Sequence, residues 1–272
     1  MLLFWRALFL VMIALPALAQ KKAEPVGPLD PFAPTANHAR RYAECMQSAR
    51  REPLKALPLA EKWKAEGGGL GARHCVAIAM FESGQYLPAA MQLEQIERDM
   101  GTDRPGLRAE LLAQAGQAWN EANQAENAAK AQSRALDLKP NDADLWVDRG
   151  LSYAAMRAWP RAISDFDRAL TIEPYKVEIY VLRAAAWRNA GNPARAQADA
   201  DRALTIAPDN PEILLERALA LQAQGNQKAA GLDLAKVLKL AKAGSDTAKR
   251  AEAALRGEQS STTPPPPAAS KR

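Results

Sequence analysis

An all-α solenoid of stacked helical hairpins is the fold that this 272-residue sequence predicts. Three observations predict it. Alanine, leucine and arginine, all good helix formers, are the commonest residues, glutamate and glutamine add to them, and β-branched runs are almost absent. The phrases RALDLKP (134–140), RALTIEP (168–174) and RALTIAP (202–208) recur, which spaces Pro140, Pro174 and Pro208 by 34 residues twice over. Between those prolines, small and large residues stand at fixed offsets.

The chain begins with one basic residue, Arg6, an apolar run from Ala7 to Leu15, and the small-x-small sequence Ala17-Leu18-Ala19. This is the anatomy of a secretory signal peptide over residues 1–19, with the cut expected after Ala19. The uninterrupted apolar run is short for a membrane-spanning helix, and no cysteine stands at the cleavage site to carry a lipid. An uncleaved membrane anchor is the alternative. The expected localisation is outside the cytosol, in a periplasm, with no stable membrane insertion once the signal is removed. Residues 20–36, with Pro25, Pro28, Pro31 and Pro34, read as an extended leader.

Over residues 37–101 two degenerate hairpins are expected. The first turns at Pro53, and in the second Gly84 takes the turn while Ala77 and Ala89 take the small positions. Cys45 and Cys75, the two cysteines of the chain, fall on the first helices of these neighbouring hairpins. In an oxidising compartment an even pair reads most simply as one disulfide; two buried free thiols are the alternative. A metal site of Cys45, His74 and Cys75 is weaker, because adjacent helical residues point about 100° apart. The segment 101–106 breaks the period and reads as a loop between two sub-arrays.

Aligned on their prolines, residues 109–142, 143–176, 177–210 and 211–244 form four units within 107–244. The eighth position reads Gly116, Gly150, Ala184 and Ala218; the eleventh reads Trp119, Tyr153, Trp187 and Leu221. Two antiparallel helices approach closely only where a small residue of one meets a bulky residue of the other. Each unit is therefore a hairpin. Its turn falls at Gly191-Asn192-Pro193 and Gly225-Asn226, where glycine ends the first helix, asparagine caps the second and proline suits the second helix's first turn. Trp159-Pro160 marks the same turn without glycine. The last unit has Lys242 in place of the closing proline.

This pattern resembles the tetratricopeptide repeat, a 34-residue helical hairpin with these small and large positions. The resemblance implies a right-handed superhelix whose concave face, lined by the first helices, holds a peptide or helix of a protein partner. The family's groove positions fall here on Gln117, Asn120, Val147, Leu151, Val181, Ala185, Arg188, Leu215 and Leu219, an apolar row over three consecutive units. The alternative is a self-associating structural protein with the groove filled by its own chain or a second copy. The acidic second positions, Glu110, Asp144, Glu178 and Glu212, would repel the C-terminal carboxylate that some members clamp, and would attract a basic segment. Arg149, Arg183 and Arg217, at the seventh position, form a matching basic row and are expected to be packing stems paired with acidic neighbours between repeats.

Beyond the repeats, Ser245-Asp246 caps a final helix to Arg256, and residues 257–272, with four consecutive prolines, read as a disordered tail. The net charge of +5 is modest, and its densest basic stretch is broken by Glu44, Glu52 and Glu61, so no nucleic-acid partner is expected. No Gly-x-Ser-x-Gly elbow, phosphate loop, His-Glu-x-x-His or haem-attachment motif occurs. The sequence thus predicts a non-catalytic interaction scaffold of the cell envelope, with no catalytic residue, cofactor or metal.

Overall fold

The computed structural model describes residues 30–258. The predicted signal peptide, the first part of the leader and most of the tail lie outside the described residues. Those described form thirteen α-helices and no strand: α1 (Ala36–Arg51), α2 (Pro53–Ala65), α3 (Gly69–Glu82), α4 (Tyr86–Asp99), α5 (Pro105–Glu121), α6 (Ala125–Leu138), α7 (Ala143–Ala155), α8 (Trp159–Ile172), α9 (Val177–Asn189), α10 (Pro193–Ile206), α11 (Pro211–Ala223), α12 (Gln227–Leu240) and α13 (Asp246–Leu255). Every helix packs on its neighbours in sequence, and α1 on α3, α9 on α11 and α11 on α13 as well. That alternation of short-range contacts is the mark of a solenoid, in which each hairpin touches only the next.

Local chemistry sets the turns. Gly191 and Gly225 sit at φ 77° and 81°, the left-handed conformation that ends α9 and α11. The side chains of Asn192 and Asn226 then accept from the backbone N–H groups of Arg195 and Ala229, capping α10 and α12. Between α7 and α8 no glycine is present, and Arg157 takes the left-handed position at φ 56°. An L-residue there costs roughly 1–2 kcal/mol. The neighbouring hairpins over-determine the turn, and Pro160 opens the next helix.

Side-chain size governs how closely paired helices approach. A Cβ added to Gly150 would stand 2.6 Å from the ring of Phe166, itself 1% exposed in the core. Gly150→Val is therefore expected to destabilise the chain by about 1–3 kcal/mol, read as a lower midpoint in urea. An unchanged midpoint would show that α7 and α8 can separate freely. Helix α13 stacks as the first helix of a further unit, with Ser245 as its cap and Ala248, Ala251 and Ala254 buried. At its eighth position, however, stands Glu252, where the preceding units carry glycine or alanine.

Arginine and aspartate link successive hairpins. Arg149 donates two bonds to Asp165 at 2.8 and 2.9 Å and one to Ser133 of the preceding hairpin. Arg183 holds Asp199 in the same way and reaches Asp167; Arg217 holds Asp233 and reaches Asp201. These bonds push the Arg149 and Arg217 guanidiniums further above their ordinary values, the bonds to Asp165 and Asp233 contributing most. Each seventh-position arginine is thus a strut between one second helix and the one before it.

Two features differ from the sequence reading. The segment 101–106 does not separate two sub-arrays: α5 already begins at Pro105. Leu93 and Ile96 of α4 share one core with Leu111 and Ala115 of α5, because apolar faces on both helices remain to be buried across the short connection. Nor does the leader stay extended to its end, since Phe32 is 3% exposed, packed against the helices. Cys45 and Cys75 form a disulfide between α1 and α3, with Cα atoms 6.1 Å apart.

Candidate interaction surface on the first helices

The first helices α5, α7, α9 and α11 bring the nine groove residues into successive rows. Val147, Ala185 and Leu215 are buried, at 9%, 0% and 0% exposure, so they pack neighbouring first helices together. Gln117, Asn120, Leu151, Val181, Arg188 and Leu219 are half-buried. Leu151 and Val181 lean on the core shared by α7 to α10, and Leu219 on the core around α11 and α12. Much of the row's apolar surface is therefore already used within the array, leaving a shallow strip of Leu151, Val181 and Leu219.

The polar members are tied to neighbouring helices. The Asn120 amide donates to Ser152 Oγ at 2.9 Å, and Ser152 donates in turn to Gln132 Oε1 at 2.7 Å. Arg188 reaches the carboxylate of Glu216 on α11, which is 1% exposed and also takes a 2.7 Å bond from Arg250 of α13. Glu97, equally buried, is held likewise by Arg108 and Arg134. One buried carboxylate between two arginines thus sits near each end of the repeats.

Along the rim, the second-position acids divide into two pairs. Glu110 and Asp144 are neutralised by Lys139 at 3.1 Å and Lys176 at 2.7 Å. Glu178 and Glu212 are exposed and make no ion pair among the described residues. The rim of α9 and α11 is accordingly anionic beside the strip of Val181 and Leu219.

At the N-terminal end, side chains of α1, α3 and α5 meet around His74. His74 is buried; its Nε2–H donates to Gln114 Oε1 at 2.8 Å, which leaves Nδ1 to accept from the Tyr42 hydroxyl at 2.6 Å. Burial holds the His74 pKa below its ordinary value of 6.5, so the ring is neutral at pH 7. Burial likewise pushes the Tyr42 phenol up to about 12. His74 and Cys75 face different partners, as their helical offset requires. Among the described residues there is no group of three His, Cys, Asp or Glu side chains placed to hold a metal ion. No described helix is long and apolar enough to cross a membrane.

Sequence reasoning missed Phe32, the Tyr42–His74–Gln114 row and the two buried glutamates. A signal for one of them exists: Arg250 stands 34 residues after Glu216, at the same position of the next unit.

Helical hairpins stacked in register and tied by seventh-position arginines, with α13 packed on α11 and α12, define an α-solenoid repeat protein. Residues 116–187 match the family model described as tetratricopeptide repeat. Solved structures agree on the fold. The C-terminal part of a tetratricopeptide repeat-containing protein from Cytophaga hutchinsonii superposes with a TM-score of 0.64 at 16% identity, over 80% of this chain and 86% of that one. MamA of Desulfovibrio magneticus RS-1, from its residue 41 to its end, gives 0.57 at 16% identity, over 63% and 94%. YrrB, described as a tetratricopeptide repeat protein with an unusual peptide-binding site, gives 0.55 at 13% identity, over 72% and 96%. No curated protein matches the chain.

Proposed function

We propose that the chain is a non-catalytic interaction scaffold that binds a protein segment along the first helices of its C-terminal units. The observation that carries this reading is the strip of Leu151, Val181 and Leu219 beside the unpaired carboxylates of Glu178 and Glu212. An apolar strip flanked by anionic groups suits an amphipathic or extended segment bearing lysine or arginine. The peptide-binding site named for YrrB, a protein of the same fold, supports this mode of use. The disulfide and the signal-like N-terminus support action outside the cytosol, in a periplasm.

Self-association is the second reading, favoured by how much of the groove row is already covered by the chain's own helices. A crosslinked pull-down from native envelope extract, comparing wild type with Leu151→Glu plus Leu219→Glu, separates the two. A protein recovered with wild type and lost with the variant is the expected result. Equal recovery by both would move the site away from the strip, and recovery of the bait alone would favour self-assembly.

A further inference from the structure

We propose that the N-terminal end of the first-helix face is a second binding site, for a short extended segment that presents an aromatic side chain next to proline, and that Phe32 occupies it in cis. The Phe32 ring stacks on His74 with centroids 5.0 Å apart and on Tyr42 at 5.6 Å. Its carbonyl lies over Gly71, where an added Cβ would stand 2.2 Å from the oxygen. Missing side chain and paired rings together make a cradle shaped to one aromatic residue and the backbone beside it.

The manner in which the segment is held marks it as an occupant. The Phe32 N–H bonds to its own neighbour Asp30 Oδ1 at 2.9 Å, and the Ala33 N–H to the Asp30 carbonyl at 3.0 Å. Both bonds close within the segment, so among the described residues no backbone hydrogen bond joins residues 30–34 to α3 or α5. Phe32 is the one buried side chain of residues 30–35. Pro31 and Pro34 fix the backbone on either side, which lowers the entropy lost on docking. A segment built this way binds equally well from another chain. Its tether to α1 gives Phe32 the advantage of a high effective concentration, so a ligand in trans meets a site that is mostly filled. The apparent affinity is then weakened by the fraction of molecules with the cradle empty. This site is separate from the strip on α7 to α11, and either can fail without the other.

The test uses a fluorescein-labelled hexapeptide, Asp-Pro-Phe-Ala-Pro-Thr, the sequence of residues 30–35. It is titrated into wild type and into Phe32→Ala, followed by fluorescence anisotropy, with circular dichroism of both proteins. The expected result is binding to Phe32→Ala at least about 10-fold tighter than to wild type, abolished when the peptide carries alanine in place of phenylalanine. Native helicity with no saturable binding would overturn the proposal. So would equal binding by both proteins, and so would loss of the cooperative helical melt in Phe32→Ala, which would make the ring part of the fold.

Discussion

Replacing Glu216 with alanine is expected to lower stability by about 3–5 kcal/mol, the usual result of breaking a buried ion pair from one side. Glu216 is 1% exposed, and its two oxygens face Arg188 at 3.3 Å and Arg250 at 2.7 Å. Both arginine side chains are themselves largely covered, at 15% and 13% exposure. Alanine would leave two guanidiniums with no counter-charge in a region that water reaches poorly. The cost should fall on α13 first, because Arg250 is one of its anchors and the helix otherwise buries only alanines. Hydrogen exchange should therefore show α13 opening ahead of α9 and α11. The companion variant Glu216→Leu with Arg188→Met and Arg250→Met removes all three charges, and should come within about 1 kcal/mol of wild type or exceed it. If Glu216→Ala costs less than about 1 kcal/mol, the arginines find other solvation and the node contributes little.

The physical basis of that node also shows which parts of this molecule are legible from sequence. The 34-residue period specifies hairpins because the rule behind it is local: small against large at fixed offsets, glycine or asparagine at turns. Gly150 facing Phe166 and Asn192 capping α10 follow from that rule directly. The seventh-position arginines are legible in part. Arg183 and Arg217 reach Asp167 and Asp201 of the preceding repeat, as read from the sequence. Their two-bond partners Asp199 and Asp233, like Asp165 for Arg149, instead lie 16 residues further on in the second helix of the same unit.

Contacts between units are harder to see. Arg188 meets Glu216 across 28 residues and Arg250 meets it across 34, and pairing them requires α13 to be read as one more first helix although no proline closes the unit before it. Phe32 was illegible because a proline-rich leader carries no periodicity, so nothing in its composition separates a docked aromatic from an exposed one. The candidate groove was half legible. Family positions put Leu151, Val181 and Leu219 on one strip, but they do not tell which members, such as Leu215 at 0% exposure, are consumed by packing between first helices.

Reducing the Cys45–Cys75 bond is expected to lower the stability of the N-terminal end by about 3–4 kcal/mol, the chain-entropy value for a loop of this size. The bond spans 30 residues and joins α1 to α3. Besides the bond, α1 is held by the Tyr42 hydroxyl on His74 and by partly buried Tyr42 and Met46. That helix buries one residue, Ala49, whereas α3 buries seven. Arg41 adds an ion pair with Glu66, but both side chains are more than a third exposed and the pair is screened. Without the disulfide, α1 should fray at equilibrium while α3 to α12 stay folded, and the Phe32 segment, covalently joined to α1, should leave His74 with it. Hydrogen exchange across residues 36–51, before and after dithiothreitol, reads this directly. A Cys45→Ala plus Cys75→Ala variant separates the cross-link from the sulfur packing, because Cys75 is fully buried and its removal leaves a cavity that reduction does not. If reduced wild type exchanges as slowly over α1 as the oxidised protein, the hairpin interface alone holds the helix and the disulfide is redundant. If α1 opens, Tyr42 and Phe32 leave His74 together, the oxidation state of one bond governs whether the aromatic cradle is assembled, and the N-terminal end of the array becomes sensitive to the redox state around it.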